Sequence, residues 1–432
     1  MRLQGEGVRT LVKGRIFTPD GIIDGCVTIE NGVITRVGGG SSGCDSVLEF
    51  SGEGEVVLPG LIDMHVHMRD FEQSSEEDFT SGTSAAAMGG YTVVVDMPNT
   101  KPPVNTLQAL LRRDAAARER AIVDYGLYYG IPRQAGELGD EIQRLAVGFK
   151  LFMHMEFYPE PPPTVLDSLR FAAGRGLPVV VHAEDPMFFR DLGMGPAGTP
   201  EAEASAISRI SGTAEEIGFR PHVTHLSSEL GLREVIRWRK RVGLTSDTCP
   251  CYLLLTREDV ERIGPVAKVH PPIKESRDRE ALLASLARGE IDAVSSDHAP
   301  HLPCEKRSMK EASPGFPGLE TTLPLMLTLV NRGRMELRDL VRACAEAPAR
   351  ILGLEKLGSV EEGKIGNLTV VDLEKRGRID PGTFVSRAKY SPFEGFETIG
   401  APVAVVVRGK QIMERGRIVS GPGWCRNVTA FR

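Results

Sequence analysis

The feature that most constrains the fold is a coarse repeat of eight short β-rich runs, spaced by segments long enough for a helix. The runs are "LIDMHVH" (61–67), "YTVVVDM" (91–97), "AIVDYGLYYG" (121–130), "VGFKLFM" (147–153), "LPVVVHA" (177–183), "PHVTHLS" (221–227), "VGLTSDT" (242–248) and "IDAVSSD" (291–297). Helix-like pieces such as "TLQALLRRDAAARER" (106–120) and "ELGLREVIRWRKR" (229–241) lie between them. Strands alternating with helices imply βαβ units and a parallel sheet. Eight such units predict an α/β fold of the (β/α)8 TIM-like barrel type, which usually takes about 250 residues. Residues 58–361 are assigned to it. The flanks, 1–57 and 362–432, read instead as short strands with glycine turns, as in "CVTIENGVITRVGG" and "PVAVVVRGKQIMERGRIVSG". They are predicted to form one small, discontinuous β-sandwich domain, although spacing alone does not require the two ends to pair.

Composition removes several function classes. A chain of 432 residues can bury a large core and hold more than one domain. Its net charge is −6 and it has no run of roughly five basic residues, which argues against nucleic acid as the main partner. No basic segment leads into an apolar stretch at the N-terminus, and no apolar run reaches about 18 residues, so a cytoplasmic protein without a membrane span is expected. Seven cysteines, odd in number and irregular in spacing, suit reduced thiols.

The first run extends into "LIDMHVHMRD" (61–70), where Asp63, His65, His67 and Arg69 alternate with apolar residues. Strict alternation marks a strand, but two histidines bracketed by an acid and an arginine are unusual on a wet face. Other polar residues stand near the C-terminal ends of later runs: Lys150, His182, His225 and Asp297. Barrel active sites are built at that end from several strands. A lone histidine is more often a satisfied core or surface residue; six such groups on five runs point to a metal site. Imidazoles and carboxylates suit zinc and other first-row ions. Four histidines exceed what one catalytic zinc usually takes from protein, so a two-metal centre uses them better. A bridging ligand is then needed. A bare ammonium has no acceptor, whereas a Lys150 carboxylated by CO2 on its amine offers two oxygens. Its place among apolar residues in "VGFKLFM" favours the neutral amine that reacts.

"PGLIDMHVHMRD", "GTSAAAMGGYTVVVDMPNTKPPV", "GFKLFM", "VVHAEDP", "THLSS" and "SSDHAPH" together resemble the amidohydrolase superfamily and, within it, the dihydroorotases. The resemblance implies reversible, zinc-dependent cyclisation of N-carbamoyl-L-aspartate to L-dihydroorotate in pyrimidine (UMP) synthesis. It implies one ion on His65, His67, Asp297 and carboxylated Lys150, and a second on Lys150, His182 and His225. Asp297 would also move the proton as the catalytic acid–base. Arg69, Asn99 and His301 match the residues that hold the substrate carboxylate, and His270 stands where the family has a substrate-contacting asparagine. Asp63 would orient a metal-bound histidine. As partners, the resemblance implies a second copy of the chain or aspartate transcarbamoylase.

Three places depart from the family. His270 in "KVHPPIK" replaces asparagine; Cys251 in "DTCPCYLLLT" replaces histidine; and "RDFEQSSEE" replaces "RDPG". The pair Cys249 and Cys251 is too small to define a metal site. "TCP-x-YL" is closer to allantoinases and hydantoinases, which keep the same centre but lack Arg69 and "MPNT" as a set. A scaffold role for a transcarbamoylase would go with lost ligands, and here every ligand position is filled. The closing loop is placed in "HLPCEKRSMKEASPGFPGLE" (301–320).

Overall fold

A computed structural model describes residues 8–39, 43–191, 193 and 195–432; residues 1–7 and 40–42 of the N-terminal flank lie outside the described residues. The eight runs form eight parallel strands: Leu61–Val66, Tyr91–Asp96, Asp124–Gly130, Gly148–Phe152, Pro178–His182, Arg220–Val223, Thr245–Thr248 and Ala293–Val294. Each pairs with its sequence neighbour, for example Val179 with Phe149 and His222 with Thr245. The ring closes where Val66 bridges His298 in parallel and His67 N donates to His298 O at 2.8 Å. All residues of the first three strands are buried, as expected of a parallel sheet covered by helices. The alternation in "LIDMHVHMRD" therefore does not mark a wet face: Asp63 is 0% and His65 2% exposed. The covering helices start on good caps. Thr106 caps Leu107–Arg120 and Ser228 caps Glu229–Val242, each side chain accepting from a first-turn N–H.

Two strands, Arg220–Val223 and Ala293–Val294, end well before their runs do, and the reason is local. Beyond Val223 the amide of His225 donates to Asp247 Oδ1 at 2.8 Å. Beyond Val294 the amide of Ser296 donates to Asp63 Oδ2 at 3.1 Å. Buried carboxylates replace ladder partners there, and the backbone turns.

Both chain ends join one nine-stranded sheet. Glu55–Pro59 pairs with Arg9–Thr18 at Ile16↔Val57 and antiparallel with Leu368–Arg378 over Leu368↔Pro59 to Asp372↔Glu55. This unit has its own core, including Val12, Ile29, Phe50, Val370 and Val406. Gly60 passes the chain from sheet to barrel; its N–H donates to Asn367 O at 2.8 Å, and a Cβ there would meet Thr92 Oγ1 at 2.4 Å. Two C-terminal segments return to the barrel. Tyr125 N donates to Arg426 O at 3.0 Å, and Tyr390 Oη takes the amide of His301 at 3.1 Å. Among the described residues no helix is long and apolar enough to cross a membrane.

Candidate active site

The site is built where strands end in left-handed turns. Arg69 (φ 49°), His225 (φ 45°) and Asp297 (φ 46°) all have positive φ. Side-chain-bearing residues seldom adopt it, at about 1–3 kcal/mol each, unless surroundings hold them. His225 is held through the Asp247 bond above. Arg69 is held by Arg113, whose Nη1 donates to Arg69 O at 2.7 Å. The turns re-aim side chains that a strand would send elsewhere. Arg69 lies three residues past its strand, not on it.

Each of three imidazoles is fixed by an outward nitrogen. His65 Nδ1 donates to Thr224 Oγ1 at 2.6 Å, and that hydroxyl donates to Asp247 Oδ2 at 3.0 Å. His67 Nδ1 donates to Asn99 Oδ1 at 2.9 Å, and His182 Nε2 to Glu184 Oε2 at 2.7 Å. The remaining nitrogens converge. His65 Nε2 and His67 Nε2 each lie 3.3 Å from Asp297 Oδ1, and His182 Nδ1 lies 2.9 Å from His225 Nε2. The ligand atoms of His65, His67 and Asp297 are within 4.8 Å of one another. An outward hydrogen bond that fixes tautomer and ring orientation is the usual support of a metal-binding histidine.

Electrostatics agree with this geometry. Burial, then neighbouring cations, holds His65, His67 and His225 well below the ordinary imidazole range, so they are neutral and free to ligate. Burial pulls Lys150 down to about 7 and pushes Asp297 up to about 7. Lys150 is 0% exposed and its Nζ has no hydrogen-bond partner among the described residues. An orphaned, readily neutral amine beside four imidazoles and a carboxylate fits a pair of divalent cations bridged by a carboxylated lysine.

These groups open on a cavity of about 290 Å³. His65, His67, His182, His225 and Asp297 line it. Arg69, Asn99, His270 and His301 line it too. So do Ser313, Pro314 and Gly315, which lie in the segment expected to close the site. Arg69 Nη2 lies 3.1 Å from His301 Nε2, and its Nε donates to Pro300 O at 3.1 Å with Glu76 Oε2 at 3.5 Å. Two expectations change in detail. Asp63 does not orient an imidazole; it accepts main-chain N–H bonds from His65 and Ser296, and Thr224 holds the His65 ring. Asn99 does more than face substrate, because its carbonyl supports His67. Cys249 and Cys251 are free, and neither joins a metal-capable group among the described residues. Sequence reading missed Thr224, Asp247, Glu76 and His154. "THLSS" and "TSDT" contained the first two, but nothing in their spacing shows that they meet.

A barrel with a histidine–aspartate cluster at the C-terminal ends of its strands presents the donor set that a catalytic metal site needs. The chain matches the amidohydrolase family over residues 56–412 and belongs to it. Among curated proteins it is 34% identical to a dihydroorotase of Thermococcus kodakarensis, covering 95% of this chain and 96% of that one. It is 32% identical to an L-hydantoinase of Paenarthrobacter aurescens, covering 96% of each. Among solved structures, the L-hydantoinase (dihydropyrimidinase) from Arthrobacter aurescens superposes with a TM-score of 0.90 at 31% identity, over 97% of this chain and 99% of that one.

Proposed function

We propose that this chain is a zinc-dependent dihydroorotase, which closes N-carbamoyl-L-aspartate to L-dihydroorotate and reopens it in pyrimidine synthesis. The observation that carries the reading is Arg69, 6% exposed, opening into the same cavity as His65, His67 and Asp297. A guanidinium there suits a substrate with a carboxylate next to a ring amide. Several relatives named dihydroorotase, at 32–35% identity over nearly the full length, support it.

His65, His67, Asp297 and carboxylated Lys150 would hold one ion, and Lys150, His182 and His225 the other. When bound, the pair would acidify a water and polarise the amide carbonyl. The protein's own groups do the rest. Arg69, with Asn99 and His301 beside it, takes the substrate carboxylate and fixes which amide faces the cluster. His270 lines the cavity and offers a neutral donor or acceptor to the ring. Asp297 holds the proton taken from the attacking water and returns it to the leaving ring nitrogen; ring closure runs the transfer backwards. The resemblance extends to setting: the cytoplasm, with a second copy or aspartate transcarbamoylase as partner.

A second reading, a hydantoinase, is favoured by two contacts. Glu76 and His301 already engage Arg69, as they could in a site whose ring carries no acid. Parallel assays of dihydroorotate, a 5-substituted hydantoin and allantoin decide. Turnover of dihydroorotate is expected; activity confined to hydantoin or allantoin overturns the first reading.

A further inference from the structure

His154 is a polar group in the cavity that the reading above leaves without a task. It sits on the one-turn helix Met153–Glu156, directly after the strand that carries Lys150. Glu156 Oε2 accepts from Phe152 N at 2.7 Å and pins that turn, so His154 is placed by the metal-site strand itself. Its ring lies 4.9 Å from the His182 ring and 6.3 Å from Phe189, on the cavity wall.

The nitrogens of His154 settle what it offers. Among the described residues, Nδ1 is buried without a hydrogen-bond partner and Nε2 is likewise unpartnered. An orphaned buried N–H is rarer and costlier than an unused lone pair. The ring proton therefore belongs on Nε2, leaving Nδ1 as the buried lone pair. A neutral imidazole with Nε2–H facing a cavity is a donor waiting for an acceptor.

Its surroundings define the acceptor. Arg69 keeps company with His301 and Glu76, whereas His154 keeps company with His182. Its cavity neighbours Phe152 and Met155 have no side-chain donor, so His154 and His270 supply the hydrogen-bonding groups on that side. A cyclic ureide has two carbonyls flanking one nitrogen: the carbonyl attacked and the ureido carbonyl. With the attacked carbonyl at the cluster, the ureido oxygen is the acceptor left over.

We infer that His154 is a substrate-binding residue whose Nε2–H donates to the ureido carbonyl of a cyclic ureide. This rests on the proposed cyclic-amide chemistry but not on the choice between dihydroorotate and hydantoin, since both rings carry that carbonyl.

The test uses the metal-loaded holoenzyme, with whichever of the two rings the wild type opens. His154→Phe keeps a flat ring and loses the donor; it is expected to raise KM by roughly tenfold, the scale of one lost hydrogen bond, with kcat within about twofold. His154→Gln, which keeps an N–H donor, should recover most of the loss. Bound metal, counted by elemental analysis, should stay unchanged in both. The 2-thio analogue, a poorer acceptor, should bind wild type about tenfold worse than the oxygen parent, which gives a readout that needs no variant to fold. An unchanged KM in His154→Phe, a lost metal ion, or no thio penalty in wild type overturns the inference alone. A wild type that opens neither ring overturns the cyclic-ureide reading and this inference with it.

Discussion

Arg113 Nη1 donates to the main-chain oxygen of Arg69 at 2.7 Å, while its Nε and Nη2 close on Asp96 Oδ2 at 2.8 and 2.7 Å. The other oxygen of Asp96 takes the amide of Met68 at 2.8 Å. A fully buried ion pair thus clamps the residues on either side of the left-handed turn that aims Arg69. Replacing Arg113 with methionine leaves Asp96 buried without its cation, which should cost about 3–5 kcal/mol of stability. Denaturant unfolding measures that loss. The same variant should raise KM for the acidic substrate, because Arg69 loses its aim.

Arg69→Gln isolates the guanidinium itself. Loss of a buried charge pair with the substrate should lower kcat/KM for dihydroorotate by about 2–5 kcal/mol in transition-state terms. A hydantoin without an acidic substituent should show little change. Equal losses on both rings would remove the arginine from substrate selection.

Thr224 supports His65 from behind. Thr224→Val keeps the shape but removes the link to Asp247, and loss of such support typically weakens metal affinity by about 10–100-fold. Competition with a chelator, followed by metal counting, reads the effect directly.

The proposed carboxylation of Lys150 would link metal occupancy to pH. The amine must be neutral to take up CO2, and burial pulls its pKa down to about 7. Below that pH the ammonium predominates and cannot react; above it the free amine predominates. Reconstitution of stripped protein with bicarbonate and zinc should therefore accelerate as pH rises through about 7 and then level off. Lys150→Arg should hold at most one ion per chain at any pH.

Much of this was legible in the sequence because periodicity and spacing carry it. Eight β-rich runs mark the barrel, and His65, His67, Lys150, His182, His225 and Asp297 fall at corresponding ends of them. What spacing cannot carry is dihedral angle and distant partnership. The turns at Arg69, His225 and Asp297 depend on Arg113, Asp247 and Asp63 (the last through the amide of Ser296), and all three are more than 20 residues away from the group they hold. His154 carries no periodic signal, because it stands on a single helical turn just past its strand.

The strand Glu55–Pro59 has a further consequence, in the order in which the chain is made. All five of its residues are buried, and its antiparallel partner, Leu368–Asp372, is more than 300 positions later. At roughly 5–20 residues per second, the ribosome leaves that edge unpaired for about 15–60 s. Arg9–Thr18 and Gly21–Glu30 pair locally and can form early, but the "EVVLP" edge must wait. An open, apolar edge of this kind invites pairing with other chains. The sheet that finally ties both ends together is thus exposed to misassembly while the chain is being born.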